Sequence, residues 1–187
     1  MKLYFATGNP HKFAEVQNVL DDYGIELEQV DIKGDEVQSY SALAIVEHSA
    51  QRIAKEFSKP FIVEDAGLQV ESLNAFPGPY SSYVFKTIGP AGIIRLLEGV
   101  ESRYAEFHSA IVYGEKGKVR KRIVGIAGGI INDSLRGEHG FGFDPIFIPQ
   151  GSKKTFGEMT MSEKNKFSHR AKAVRVLGEW LSSQKAT

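Results

Sequence analysis

The sequence predicts an α/β fold whose mixed sheet extends into a second lobe, with a cleft between the lobes as the natural ligand site. Three observations carry this. Near the N-terminus a short apolar run passes through a glycine-containing turn into a helical pattern. A second, longer helical pattern leads to another apolar run. In the middle of the chain the period switches to two over a long stretch with a single turn in it, as in an antiparallel hairpin.

In chain order, Leu3-Tyr4-Phe5-Ala6 reads as a buried strand. Thr7-Gly8 turns the chain, Asn9 suits a helix N-cap, and Pro10 suits the first helical position. Phe13, Val16 and Leu20 then recur at helical spacing. Glu26 to Ile32 alternates enough for a strand, and a polar loop from Lys33 to Tyr40 follows. Leu43, Val46, Ala50, Ile53 and Phe57 step by three and four, a long amphipathic helix that Pro60 closes off. Phe61-Ile62-Val63 is a short buried strand ending in Glu64-Asp65.

Residues 74–81 hold two prolines and a glycine and read as a rigid loop, and Ala91 to Leu97 as a short helix. Ala105, Phe107, Ser109, Ile111 and Tyr113 alternate with Glu106 and His108. Gly114 to Lys118 makes the hairpin turn and Val119 to Ile131 the returning strand. A glycine-bearing loop, Arg136 to Gly142, precedes an apolar strand from Pro145 to Ile148. The last helix, from Ser168 to Ser182, buries Val174, Leu177 and Leu181.

With 187 residues the chain is long enough for one domain with a sizeable core, taken as residues 1–187. Lys plus Arg and Asp plus Glu both number 23, so the formal charge is zero; this argues against a general nucleic-acid-binding protein, and no nucleic-acid partner is expected. The absence of cysteine excludes disulfides and thiolate metal sites. No apolar stretch reaches about 18 residues, and the N-terminus turns polar at Thr7, so neither a membrane span nor a signal peptide is expected. A cytoplasmic protein is the expectation.

The first turn carries the clearest chemistry. A helix N-terminus attracts anions through its backbone N–H groups and partial positive charge. Thr7 and Asn9 add side-chain donors and Lys12 a full charge, so residues 7–12 (Thr7, Gly8, Asn9, Pro10, His11, Lys12) suit phosphate. They form neither a Walker A loop nor a dinucleotide fingerprint; an ordinary strand-to-helix turn with a good cap is the plainer alternative.

Glu64 and Asp65 stand where a strand is expected to end, the side of an α/β sheet that faces ligands. Adjacent strand residues point to opposite faces, so one of the pair reaches the site, and Asp65 is favoured; capping a turn is its plainer role. A nucleotide-bound magnesium ion takes one or two carboxylates besides phosphate oxygens and water, a need that Glu36 with Asp65 would meet. No pair of histidines at zinc spacing occurs.

A base-reading group is suggested by Gly140-Phe141-Gly142-Phe143-Asp144. Phe141 offers a stacking face for a purine and Asp144 an acceptor for a ring N–H, against the alternative that both phenylalanines are core. Ser168 would cap the last helix, placing Lys164 in a preceding turn and His169 and Arg170 in the first helical turn, where the three converge. Lys and Arg only donate, which favours a 6-oxo purine over adenine.

Together these motifs resemble the inosine triphosphate pyrophosphatase family. The resemblance is carried by Thr7-Gly8-Asn9, Lys12 and Glu15; by Glu64-Asp65-Ala66-Gly67-Leu68; by Phe76-Pro77-Gly78 with Tyr80-Ser81; by Gly140 to Pro145; and by Lys164-Asn165 with Ser168-His169-Arg170. It implies a two-lobed fold with an elongated, twisted mixed sheet flanked by helices, usually as a homodimer. It implies magnesium-dependent hydrolysis of ITP, dITP and XTP to the monophosphate and pyrophosphate. Residues 7–12 would hold the phosphates, Glu36 and Asp65 the metal, and Asp65 would be the general base, with Lys12 catalytic beside it. Ala66, Phe141, Gly142, Phe143, Asp144, Lys164, His169 and Arg170 would contact the nucleotide. Ala66 stands where the family often has serine, so any hydroxyl contact is lost there. A pyrophosphatase for other modified nucleotides, a non-catalytic nucleotide-binding protein and an RNA-binding protein are the alternatives.

Overall fold

The computed structural model describes residues 1–32, 34 and 37–184. A mixed sheet of seven strands is flanked by helices. Strand β1 (Lys2–Ala6) pairs in parallel with β2 (Glu26–Val30), connected through helix α1 (Pro10–Leu20). Helix α2 (Ala42–Glu56) leads to β3 (Phe61–Val70), which lies parallel to β1 on its other side. The βα alternation of the first seventy residues produces this parallel part.

The short strand β4 (Phe76–Pro77) pairs antiparallel with the end of β3, and helices α3 (Ser81–Thr87) and α4 (Gly89–Leu96) follow. Strands β5 (Tyr104–Glu115) and β6 (Lys118–Ile131) form the long hairpin around Lys116-Gly117. Strand β7 (Phe147–Pro149) pairs antiparallel with β6, and α5 (Met161–Lys164) and α6 (His169–Gln184) complete the chain. The strand order is β2-β1-β3-β5-β6-β7.

The chain divides into two compact units, and β3, β5 and β6 contribute residues to both. The first unit comprises Met1–Asp65, Ser109–Gly125 and the segment from Arg170 onward. One of its cores packs Val16, Val19 and Leu20 of α1 with Ile111 and Tyr113 of β5 and Val174, Leu177 and Leu181 of α6. A second packs Val46, Ala50 and Ile53 of α2 with Phe61, Ala110 and Val112. The second unit comprises Ala66–His108 and Ile126–His169. Its core gathers Leu68, Val70, Val84, Ile93, Phe107, Phe143, Phe147 and Phe156.

Strand β3 differs from its expectation in a way that bears on the site. The strand carrying Glu64 and Asp65 does not end with them but runs on to Val70, so the pair sits mid-strand. Gly67 is what allows the continuation. A Cβ there would come within 2.3 Å of the Gly78 carbonyl oxygen, so only glycine lets that backbone approach. The pairing of Gln69 and Val70 with Pro77 and Phe76 then holds the extension, and turns part of the expected rigid loop into β4.

Candidate active site

In the first unit, the turn after β1 is closed by its own side chains. The Thr7 hydroxyl accepts from the Asn9 amide at 3.1 Å, and Asn9 Oδ1 accepts from the amides of His11 and Lys12 at 2.9 and 3.2 Å. The Phe13 amide donates to the Asn9 carbonyl, and Pro10 has no N–H. The first-turn backbone donors expected for an anion are therefore engaged in the cap. What the turn offers a phosphate is chiefly the charge of Lys12.

That ammonium reaches across to β3. Lys12 Nζ lies 3.0 Å from Glu64 Oε2, 3.3 Å from Asp65 Oδ1 and 3.4 Å from the Glu64 carbonyl oxygen. Strand alternation sends the two acids to opposite environments. The Glu64 side chain is 0% exposed, whereas that of Asp65 is 35% exposed and that of Lys12 is 16%. Asp65 is the accessible member of the pair, as the motif reading favours.

Glu64 is held from beneath. Arg170 Nε donates to Glu64 Oε1 at 3.0 Å, and the Ser109 hydroxyl donates to the same oxygen at 2.7 Å. Glu64 Oε2 makes no well-aligned hydrogen bond and meets Lys12 as a neighbouring charge. Burial pushes the Glu64 carboxyl up, but the charges of Arg170 and Lys12 and the Ser109 hydrogen bond outweigh it, and the group is lowered to about 2. The Arg170 guanidinium also pairs with Glu15 of α1. Burial opposes its charge, and the two carboxylates keep its pKa above the ordinary value.

The Arg170 guanidinium is 2% exposed and spans Glu64 and Glu15. Glu15 and Ser109 are the residues whose roles the sequence reading missed. The available signal was Glu15 lying three residues after Lys12 on α1, beside the apolar stripe.

Of the two expected metal ligands, Glu36 lies outside the described residues. Asp65 presents a part-exposed carboxylate, the hard oxygen donor that magnesium prefers. Among the described residues no group of three or more acids and histidines could hold a metal by itself. One accessible carboxylate fits an ion that arrives with phosphate oxygens of its own.

In the second unit, Lys164 Nζ donates to Asp144 Oδ2 at 2.6 Å, both side chains being 4% exposed. The Phe141 amide donates to the same oxygen at 2.8 Å. The ammonium lies 5.1 Å from the centre of the Phe141 ring and 5.3 Å from that of Phe156. Gly140 has φ +74°, and a Cβ there would come within 2.0 Å of Asp144 Oδ2, so the loop closes on this carboxylate only with glycine. His169 stacks on Phe107, with ring centres 4.7 Å apart and planes at 10°.

These positions revise two expectations. Asp144 is buried and binds Lys164 and the Phe141 amide, rather than standing open to a ring N–H. Phe143 is 3% exposed and belongs to the core, edge-on to Phe85. Phe141 remains half-buried and Ala66 half-buried beside Asp65. Lys164 does occupy the short turn before the last helix, as expected, at the end of α5.

Residues 3–180 match the model of the Ham1 family. The chain is 49% identical over 186 residues to a dITP/XTP pyrophosphatase of Methanopyrus kandleri, covering 100% of this chain and 99% of that protein. It is 48% identical over 181 residues to a dITP/XTP pyrophosphatase of Pyrococcus horikoshii, covering 97% of each. Among solved structures, the Ham1 protein of Staphylococcus aureus superposes with a TM-score of 0.84 at 25% identity, over 98% of this chain and 100% of that one. A HAM1 protein from Coxiella burnetii gives 0.82 at 28% identity, over 98% and 99%. On the family match, the full-length relatives and the shared fold, this chain belongs to the Ham1 family.

Proposed function

We propose that this chain hydrolyses non-standard purine nucleoside triphosphates (ITP, dITP and XTP) to the monophosphate and pyrophosphate, clearing them from the nucleotide pool. One observation carries the reading: the accessible Asp65 carboxylate stands 3.3 Å from the Lys12 ammonium, with the buried anion of Glu64 behind them. A cation for phosphate beside a carboxylate able to accept a proton is what hydrolysis of a phosphoanhydride requires. The activity for which the full-length relatives are named supports the substrate class.

The turn from Thr7 to Lys12 holds the phosphates, chiefly through the Lys12 ammonium. Asp65 accepts a proton from a water whose oxygen attacks the α-phosphorus; the bond from that phosphorus to the bridging oxygen of the β-phosphate breaks, and pyrophosphate leaves. Lys12 offsets the negative charge that grows on the departing pyrophosphate. Glu36 and Asp65 would hold a magnesium ion brought by the substrate, which when bound screens the triphosphate charge. Phe141 provides the stacking face for the base, with Gly142 allowing close backbone approach. Lys164, oriented by Asp144, donates to a 6-oxo group, and Ala66 and His169 complete the nucleotide contacts. Phe143 acts by fixing the loop from the core.

The working form is a cytoplasmic homodimer. The exposed apolar side chains of Tyr83, Phe85 and Ile88 on the second unit support pairing. Among the described residues no helix is long and apolar enough to cross a membrane.

Pyrophosphate release across a panel of nucleoside triphosphates, with and without magnesium, tests the proposal. ITP, dITP and XTP are expected to yield pyrophosphate far faster than ATP, and only with the metal. Equal rates on all purines, or release of orthophosphate alone, would contradict it.

A further inference from the structure

The first unit carries a hollow of about 510 Å³ beside Met1, at the opposite end of β1 from the turn that leads to Lys12. That volume falls within the roughly 300–1,000 Å³ of small-molecule sites. Its floor is aromatic. Tyr113 of β5 and Trp180 of α6 meet edge to face, with ring centres 5.3 Å apart and planes at 67°. Tyr113 is buried and Trp180 half-buried, so the indole is the ring a ligand can reach. Leu181 adds an apolar wall.

Two charges of opposite sign stand at the rim, Glu115 on β5 and Arg120 on β6. Burial and the Glu115 charge push the Tyr113 hydroxyl up, so it stays protonated, and its hydrogen bond to Glu115 holds that carboxylate in place. Arg122 is taken up by Glu47, whereas Arg120 has no carboxylate partner among the described residues. Lys121 supplies a second cation, its ammonium 5.9 Å from the centre of the Trp180 ring. A reachable indole suits a planar base, a fixed carboxylate suits sugar hydroxyls, and two adjacent cations suit a phosphate.

We propose that this hollow is a second nucleotide site, taking a nucleoside monophosphate with its base on Trp180, its ribose hydroxyls at Glu115 and its phosphate between Arg120 and Lys121. The inference does not rest on the proposed hydrolysis. It concerns binding at the far end of β1, and a protein that releases no pyrophosphate could still show it.

Trp180 is the sole tryptophan of the chain, so its fluorescence reports on this hollow directly. Titration of the full chain with IMP is expected to quench it saturably, with a midpoint at or below about 1 mM. Inosine, which lacks the phosphate, is expected to bind at least about tenfold more weakly, and inorganic phosphate alone to leave the emission unchanged. Arg120→Gln changes an exposed side chain and is expected to fold as the wild type does, to raise the IMP midpoint about tenfold, and to leave pyrophosphate release from ITP unchanged. Lys121→Gln is expected to raise the midpoint in the same direction. Lys12→Ala is expected to leave it within about twofold, because that change lies at the other end of the strand. No quenching by IMP up to about 10 mM, or quenching indifferent to both Arg120→Gln and Lys121→Gln, would overturn the proposal. Quenching lost in Lys12→Ala but kept in Arg120→Gln would also overturn it, since the nucleotide would then sit at the phosphate turn.

Discussion

Lys12 Nζ and Asp65 Oδ1 lie 3.3 Å apart although 53 positions of sequence separate them. The sheet brings them together. In the parallel pairing of β1 with β3, Tyr4 and Phe5 stand opposite Phe61 and Ile62. The turn leaving β1 therefore arrives beside the stretch of β3 that follows, where Glu64 and Asp65 are. Lys12, one turn into α1, then leans back onto both acids. The cap made by Asn9 fixes that helix start, so the contact is a consequence of register and capping.

Replacing Lys12 by alanine should damage ground-state and transition-state binding together. KM for ITP is expected to rise and kcat to fall, with kcat/KM lower by roughly a hundredfold or more. Steady-state kinetics check this; a change confined to KM would mean that Lys12 binds phosphate without assisting departure of pyrophosphate.

The Glu64 carboxyl makes stability depend on acid pH. Its folded value, about 2, lies below the ordinary 4.5, so on acidification the unfolded chain takes up the proton first. The stabilisation is complete above about 4.5 and is lost as pH falls towards about 2, at about 1.4 kcal/mol per pH unit, or about 3 kcal/mol in all. Urea unfolding across this window is expected to show a shallower dependence of stability on pH in Glu64→Gln than in the wild type, the remainder coming from the other lowered carboxylates such as Glu163. Identical slopes would place the acid sensitivity elsewhere.

Lys164 and Asp144 should fail separately and survive jointly. Lys164→Met leaves the buried Asp144 charge without its cation, at a cost of about 3 kcal/mol, and lowers the preference for ITP over ATP. Adding Asp144→Asn is expected to recover most of the stability and none of the selectivity. Chemical denaturation and a two-substrate assay distinguish these effects. A variant that keeps the wild-type ITP:ATP ratio would remove Lys164 from base recognition.

Gly67→Ala tests the reach of β3. The added methyl would meet the Gly78 carbonyl oxygen at 2.3 Å, so backbone must shift. A loss of about 1–3 kcal/mol, read from thermal unfolding, is expected. Unchanged stability would show that the strand is not packed this closely against the following turn.

The features legible in the sequence are those set by local rules. Asn9 and Pro10 announced the start of α1, the switch to a period of two announced β5 and β6, and Lys164 fell in the turn before α6 as its spacing implied. The features that were not legible depend on distant partners. Gly67 looked like the end of a strand because nothing local shows that Gly78 packs against it. Arg170 looked like a surface donor because its acids lie 106 and 155 positions away. Asp144 looked open because its partner, Lys164, comes 20 residues later. In each case the local pattern gave the residue a chemistry, and tertiary contact decided which group would use it.

The most direct measurement is pyrophosphate release from ITP by Asp65→Asn, beside the wild type, with magnesium present. The Asp65 side chain is 35% exposed and outside the buried Arg170 network, so the variant should fold with stability close to wild type. Turnover roughly a thousandfold lower, in a protein with native unfolding behaviour, is the predicted result. A folded Asp65→Asn protein with turnover near that of the wild type would contradict the assignment of Asp65 as the group that takes the proton from water.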